Sequence, residues 1–115
     1  MVADMKPSSE PLFDTAHLAR YTGGDAALTE ELVSLMCEQA RRCIGQMRNA
    51  GDEAAWCTAT HTLKGAARGV GAFALADLCD LAEDQPPSAW DAARITIEQC
   101  FRETEAEMIA VTGRG

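Results

Sequence analysis

The chain has 115 residues, 47% of them apolar, which supports one domain burying roughly two-thirds of its unfolded surface and leaves too little for two. Ten lysines and arginines stand against 18 aspartates and glutamates, a formal net charge of -8. That balance argues against nucleic acid and anionic membranes as partners, since both require a basic face. No run of about 18 apolar residues occurs, and Met1-Val2-Ala3-Asp4-Met5-Lys6-Pro7 lacks the basic flank and apolar stretch of a signal peptide, so a cytoplasmic protein is expected. Five cysteines (Cys37, Cys43, Cys57, Cys79, Cys100) form an odd set without a C-x-x-C pair and read as reduced packing residues.

Residues 1–11, with Pro7, Ser8, Ser9 and Pro11, read as a mobile tail ahead of a single domain over residues 12–112. Phe13 followed by Asp14 resembles a hydrophobic residue and an N-cap before a short helix, Thr15 to about Tyr21, which Gly23-Gly24 ends. Asp25 then caps a helix over about Ala26–Arg48, whose Leu28, Leu32, Leu35, Met36, Cys43 and Met47 recur at helical spacing and predict one buried stripe. Asn49-Ala50-Gly51 breaks it, and Asp52 caps a third helix running from about Glu53 to Arg68. After Gly69-Val70-Gly71 a fourth helix starts at Ala72 and carries Phe73, Leu75, Leu78, Cys79 and Leu81. Asp84-Gln85-Pro86-Pro87 is a stop. Ser88 and Asp91 resemble a capping box opening a last helix from Ala89 to about Val111, with Trp90, Ala93, Ile97, Cys100, Phe101 and Met108 facing inward. Nothing alternates with period two and the connections are short, so the pattern predicts an all-α fold: an antiparallel up-and-down four-helix bundle with a short additional N-terminal helix.

The third helix has an odd outer face. On a wheel of about 100° per residue centred on Leu63, the residues Trp56, Ala59, Ala66, Ala67 and Val70 fall within about 60° of it. His61, Cys57, Lys64, Gly65 and Arg68 lie on the side turned from that stripe, so His61 should be exposed. Gly65 costs roughly 1 kcal/mol against alanine inside a helix and is not a cap, which points to a flat spot that another protein can approach. Lys64 and Arg68, at i+3 and i+7 from His61, are placed to stabilise an anionic group on its ring. Neutral imidazole is a nucleophile near pH 7, so the set suits a phosphorylated histidine.

The string His61-Thr62-Leu63-Lys64-Gly65-Ala66-Ala67-Arg68-Gly69-Val70-Gly71 resembles the H-x-L-K-G-(small)-(small)-x-x-(aliphatic)-G signature of histidine-containing phosphotransfer (HPt) domains of two-component phosphorelays. The likeness extends to Phe13-Asp14, Leu18, Gly24-Asp25 and Leu28, and onward to Ala72, Leu75, Leu78, Cys79 and Glu83. It implies that His61 takes a phosphoryl group at Nε2 and exchanges it with aspartates of response-regulator receiver domains, with a hybrid histidine kinase upstream. By the same resemblance Lys64 supports the phosphate, with Arg68 as a further contact of this chain, and Gly65 lies at a docking surface to which Cys57, Thr58 and Thr62 also belong. Glu83 matches an acidic or amide residue near the ring, although Ala82 stands before it where the family usually has leucine.

In this family the receiver supplies Mg²⁺, so no cofactor or metal is expected on this chain, and no G-x-x-x-x-G-K-[ST] loop is present. The expected protein is a phosphoryl carrier without an ATP site, monomeric and not an enzyme in its own right. Residues 37–70 hold five cations against three carboxylates, a local balance of +2 that would suit an acidic receiver rim. Two other readings remain open at this level: a helical adaptor that binds a receiver without carrying phosphate, and a fragment of a histidine kinase. The second is disfavoured by Thr62, which stands where that family places Glu or Asp.

Overall fold

The computed structural model describes residues 11–112, so all of the expected tail (residues 1–11) but its last residue lies outside the described residues. Three local signals in the sequence form three helix starts. Asp14, Asp25 and Asp52 each turn a side-chain carboxylate back onto a backbone N–H three residues on, at 3.2, 3.0 and 2.8 Å. They open α1 (Thr15–Thr22), α2 (Ala26–Arg48) and α3 (Glu53–Val70). α1 and α3 stop at Gly23 and Gly71, both left-handed, with φ of 62° and 89°.

Gly71 is required twice over. Besides its positive φ, a Cβ there would meet the Asp14 carbonyl oxygen at 2.8 Å, and the Asp14 N–H donates to the Gly71 carbonyl at 3.0 Å. This close approach ties α1 to the α3–α4 corner. α4 (Phe73–Glu83) follows after only two residues, and α5 (Trp90–Thr112) closes the fold.

Each long helix packs on the one before it, and α5 returns to α2, so α2 to α5 form a four-helix up-and-down bundle capped by α1. The core runs through Val33, Met36, Ala40, Ile44, Trp56, Leu63, Leu75, Cys79, Ile97, Phe101 and Met108.

The expected stripe of α2 is turned. Leu28 and Leu35 are exposed, and Val33, Cys37, Ala40 and Ile44 take the buried side with Met36, Cys43 and Met47. The shift is about 80° on the wheel: leucines expected in the stripe stand on the solvent side, and Val33 and Ile44 pack in the core beside the smaller Cys37 and Ala40. Phe73 and Leu81 are likewise exposed, and Ala76 and Ala82 are buried in their stead. α5 starts later than expected: residues 87–89 form a 3₁₀ turn closed by the Ala89 N–H on the Pro86 carbonyl at 2.8 Å, and Ser88 makes no side-chain cap. None of the five cysteines forms a disulfide, but Cys57 is exposed and so is not a packing residue. Burial pushes the Cys79 thiol up to about 12.

Candidate functional site

α3 turns its buried stripe of Trp56, Ala59, Thr60, Leu63 and Ala67 inward, which leaves His61 outward with its side chain 74% exposed. Thr60 is fully buried and satisfies its hydroxyl on the Trp56 and Cys57 carbonyls, so no polar group on the inner side competes for the ring. α4 packs alongside and ends at Glu83, whose Oε2 lies 3.0 Å from His61 Nδ1. A carboxylate only accepts, so this contact places the proton of the neutral ring on Nδ1 and leaves the Nε2 lone pair free.

The same Glu83 oxygen lies 3.1 Å from Lys64 Nζ, and Asp80 Oδ1 holds that ammonium from the other side at 2.9 Å. Lys64 is 12% exposed, its stem packed along the α3–α4 groove. Its hydrogen bonds to Asp80 first and Glu83 second hold its pKa above the usual lysine value, and Lys64 in turn holds the Asp80 carboxyl below its own. One ammonium N–H remains beyond the two given to the carboxylates.

The remaining residues singled out in the sequence are spread along this face. Arg68 is exposed two turns from His61, and its charge reaches Asp80. Cys57 is exposed, with its thiol 3.6 Å from the Glu83 carbonyl. Thr58 lines an open groove of about 620 Å³ between α2 and α3 with Arg42, Gln46 and Asn49. Thr62 is half-buried. Gly65 is exposed, and a Cβ there would meet nothing within 4 Å, so no neighbour within the chain demands glycine.

The five cations of residues 37–70 do not share one face. Arg41 pairs with Glu105 and Arg48 with Glu98, both on α5, and Lys64 is held by α4, which leaves Arg42 and Arg68 beside α3. His17 is half-buried, edge-on to Tyr21 and Phe73. Asp80 is the site residue that sequence reasoning missed; its only signal was a position three residues before Glu83, one turn away on the same helix face. Among the described residues no group of three or more His, Cys, Asp or Glu is placed to hold a metal ion, and no helix is long and apolar enough to cross a membrane.

An outward histidine with a free Nε2, carried mid-helix on a four-helix bundle and backed by a lysine and a carboxylate, defines the histidine phosphotransfer class. The sequence profile of the Hpt domain matches residues 31–109. In structure the chain is similar to the histidine phosphotransferase ShpA of Caulobacter crescentus, at 33% identity and a TM-score of 0.55, over 85% of this chain and 98% of that one. No curated protein matches the sequence. The chain belongs to the Hpt domain family, and it is a histidine phosphotransfer carrier of two-component signalling.

Proposed function

We propose that His61 is the residue that carries the phosphoryl group, at Nε2, and that its donors and acceptors are aspartates of receiver domains, with a hybrid histidine kinase upstream. The observation that carries this reading is the pairing of a 74% exposed ring with Glu83 through Nδ1. In the forward step the Nε2 lone pair attacks the phosphorus of an aspartyl phosphate, the N–P bond forms as the P–O bond breaks, and the electron pair leaves with the receiver's carboxylate. Nδ1 keeps its proton throughout, and Glu83 stabilises the positive charge that the ring gains. The third N–H of Lys64 and the guanidinium of Arg68 are the groups at hand for the phosphoryl oxygens. Mg²⁺ belongs to the receiver in this scheme, and the chain needs neither a metal nor an ATP site of its own.

Gly65, Cys57, Thr58 and Thr62 form the docking face. The empty space over Gly65 supports this, because a glycine that costs helix stability and relieves no crowding within the chain leaves room for a partner's surface. The carrier works as a monomer in the cytoplasm.

The test is transfer from a receiver phosphorylated by a small-molecule donor to wild type and to His61→Ala. Acid-labile, alkali-stable label on wild type alone is expected. Label on both proteins would place the acceptor elsewhere, and binding without label on wild type would make the chain an adaptor.

A further inference from the structure

The helix that presents Glu83 lacks the usual means of ending. α4 has 11 residues, no glycine at its end, no basic residue in its last turn, and a C-cap at Asp84 with φ -98° and ψ 7°. The Ala82 carbonyl in its last turn accepts the Asp84 N–H and, at 3.2 Å, the Gln85 N–H, and two side chains from other helices add to this, one at that carbonyl and one in the turn that follows. Trp56 Nε1 of α3 donates to the Ala82 carbonyl at 2.8 Å, and Trp90 Nε1, from the first residue of α5, donates to the Gln85 carbonyl at 3.0 Å. The two indoles are stacked, 4.8 Å between centroids and 6° from parallel. Carbonyls 82 and 85 bracket Glu83, so both sides of its backbone are held.

We propose that Trp90, stacked on Trp56, is a positioning residue for the acceptor histidine: the indole pair ties down the end of α4 and the turn after it, and thereby holds the Glu83 carboxylate on His61 Nδ1. The inference rests on the reading of His61 as the acceptor. Without the stack the α4 end frays, Glu83 leaves the ring, and His61 returns to the Nε2–H tautomer that a free imidazole favours, which masks the attacking nitrogen. α5, which supplies none of the residues around the ring, acts on the chemistry through this contact.

The test reads the His61 tautomer directly, by ¹⁵N chemical shifts of the neutral ring in wild type, Trp90→Ala, Glu83→Ala and the double variant. Wild type should be mainly Nδ1–H. Trp90→Ala should lower the Nδ1–H to Nε2–H ratio by roughly threefold to tenfold, as loss of one hydrogen bond would. In the Glu83→Ala background Trp90→Ala should change nothing further, a result that general loosening of the bundle would not produce. Should Trp90→Ala fail to fold, Trp90→Phe keeps an aromatic ring to stack on Trp56 but has no N–H to donate, and its ratio should fall between those of wild type and Glu83→Ala. A wild-type ratio in a folded Trp90 variant, or an undiminished effect without Glu83, overturns the proposal. These readings need no phosphorylation, so failure of His61 to take label would strike the functional reading and leave this comparison standing.

Discussion

His61 Nδ1 and Glu83 Oε2 stand 3.0 Å apart across the α3–α4 groove, so one carboxylate sets which ring nitrogen faces solvent with a free lone pair. Removing that acceptor should slow phosphorylation without harming the fold. Glu83→Ala should label with phosphoramidate several-fold more slowly than wild type while keeping its helical circular dichroism, whereas Glu83→Gln, which retains an acceptor oxygen, should recover much of the rate. Equal rates in all three would deny the carboxylate a part.

The Asp80–Lys64 pair has a defined pH window. Lys64 holds the Asp80 carboxyl below its ordinary 3.8, so the pair's stabilisation is present above that value and is lost as pH falls through the lowered one. Asp80, then Glu83, hold Lys64 above 10.5, so at the other end stabilisation is complete below 10.5 and is lost as pH rises through the raised value. The melting-temperature gap between wild type and Asp80→Asn should be constant from about pH 5 to about pH 9 and narrow below about pH 4. A gap that widens in acid would contradict the pairing.

Gly65→Leu separates docking from chemistry. The substitution should stabilise α3 by up to about 1 kcal/mol, since a leucine replaces a helix-interior glycine in open space. Transfer from a phosphorylated receiver should fall at least tenfold, while labelling by phosphoramidate, which needs no partner surface, should be unchanged. Unchanged receiver transfer would remove Gly65 from the docking face.

Much of the bundle was legible because its signals are local. Asp14, Asp25 and Asp52 each bond a backbone N–H three residues on, and such contacts need no tertiary partner. The outward placement of His61 was equally legible, since the α3 stripe is anchored by Trp56 and Leu63, both bulky and apolar. The turned stripe of α2 was not, because apolar residues run round more than one side of this helix, and only its docking on α3 and α5 decides that Val33 and Ile44 go inward while Leu28 and Leu35 do not. Nor could spacing along one helix show that Lys64 bonds Asp80, or that Trp56 and Trp90 stack, since each depends on how two helices dock.

Leu63→Ala and His61→Ala bracket the two faces of α3. Leu63 is fully buried, so its truncation should cost about 2–5 kcal/mol. His61→Ala should stay within about 0.5 kcal/mol of wild type, as an exposed truncation does. Urea denaturation of both variants checks the pair, and similar losses would mean that His61 is packed.

Cys57 and Cys79 should differ sharply in reactivity. Cys57 is exposed beside the site, whereas Cys79 is buried and its thiol is pushed up to about 12, so it stays protonated at neutral pH. A bulky maleimide should modify Cys57 quickly and slow receiver transfer, while Cys79 should react only on unfolding. Peptide mapping after brief labelling decides the order.

The most direct test of the account is the site of the phosphoryl bond itself. Wild-type protein phosphorylated with phosphoramidate should give a single phosphohistidine in ³¹P and ¹⁵N spectra, bonded at Nε2 of His61 and absent from His61→Gln. A phosphoryl group on Nδ1, or one that persists in His61→Gln, would contradict the assignment of Nδ1 to Glu83 and of Nε2 to the chemistry.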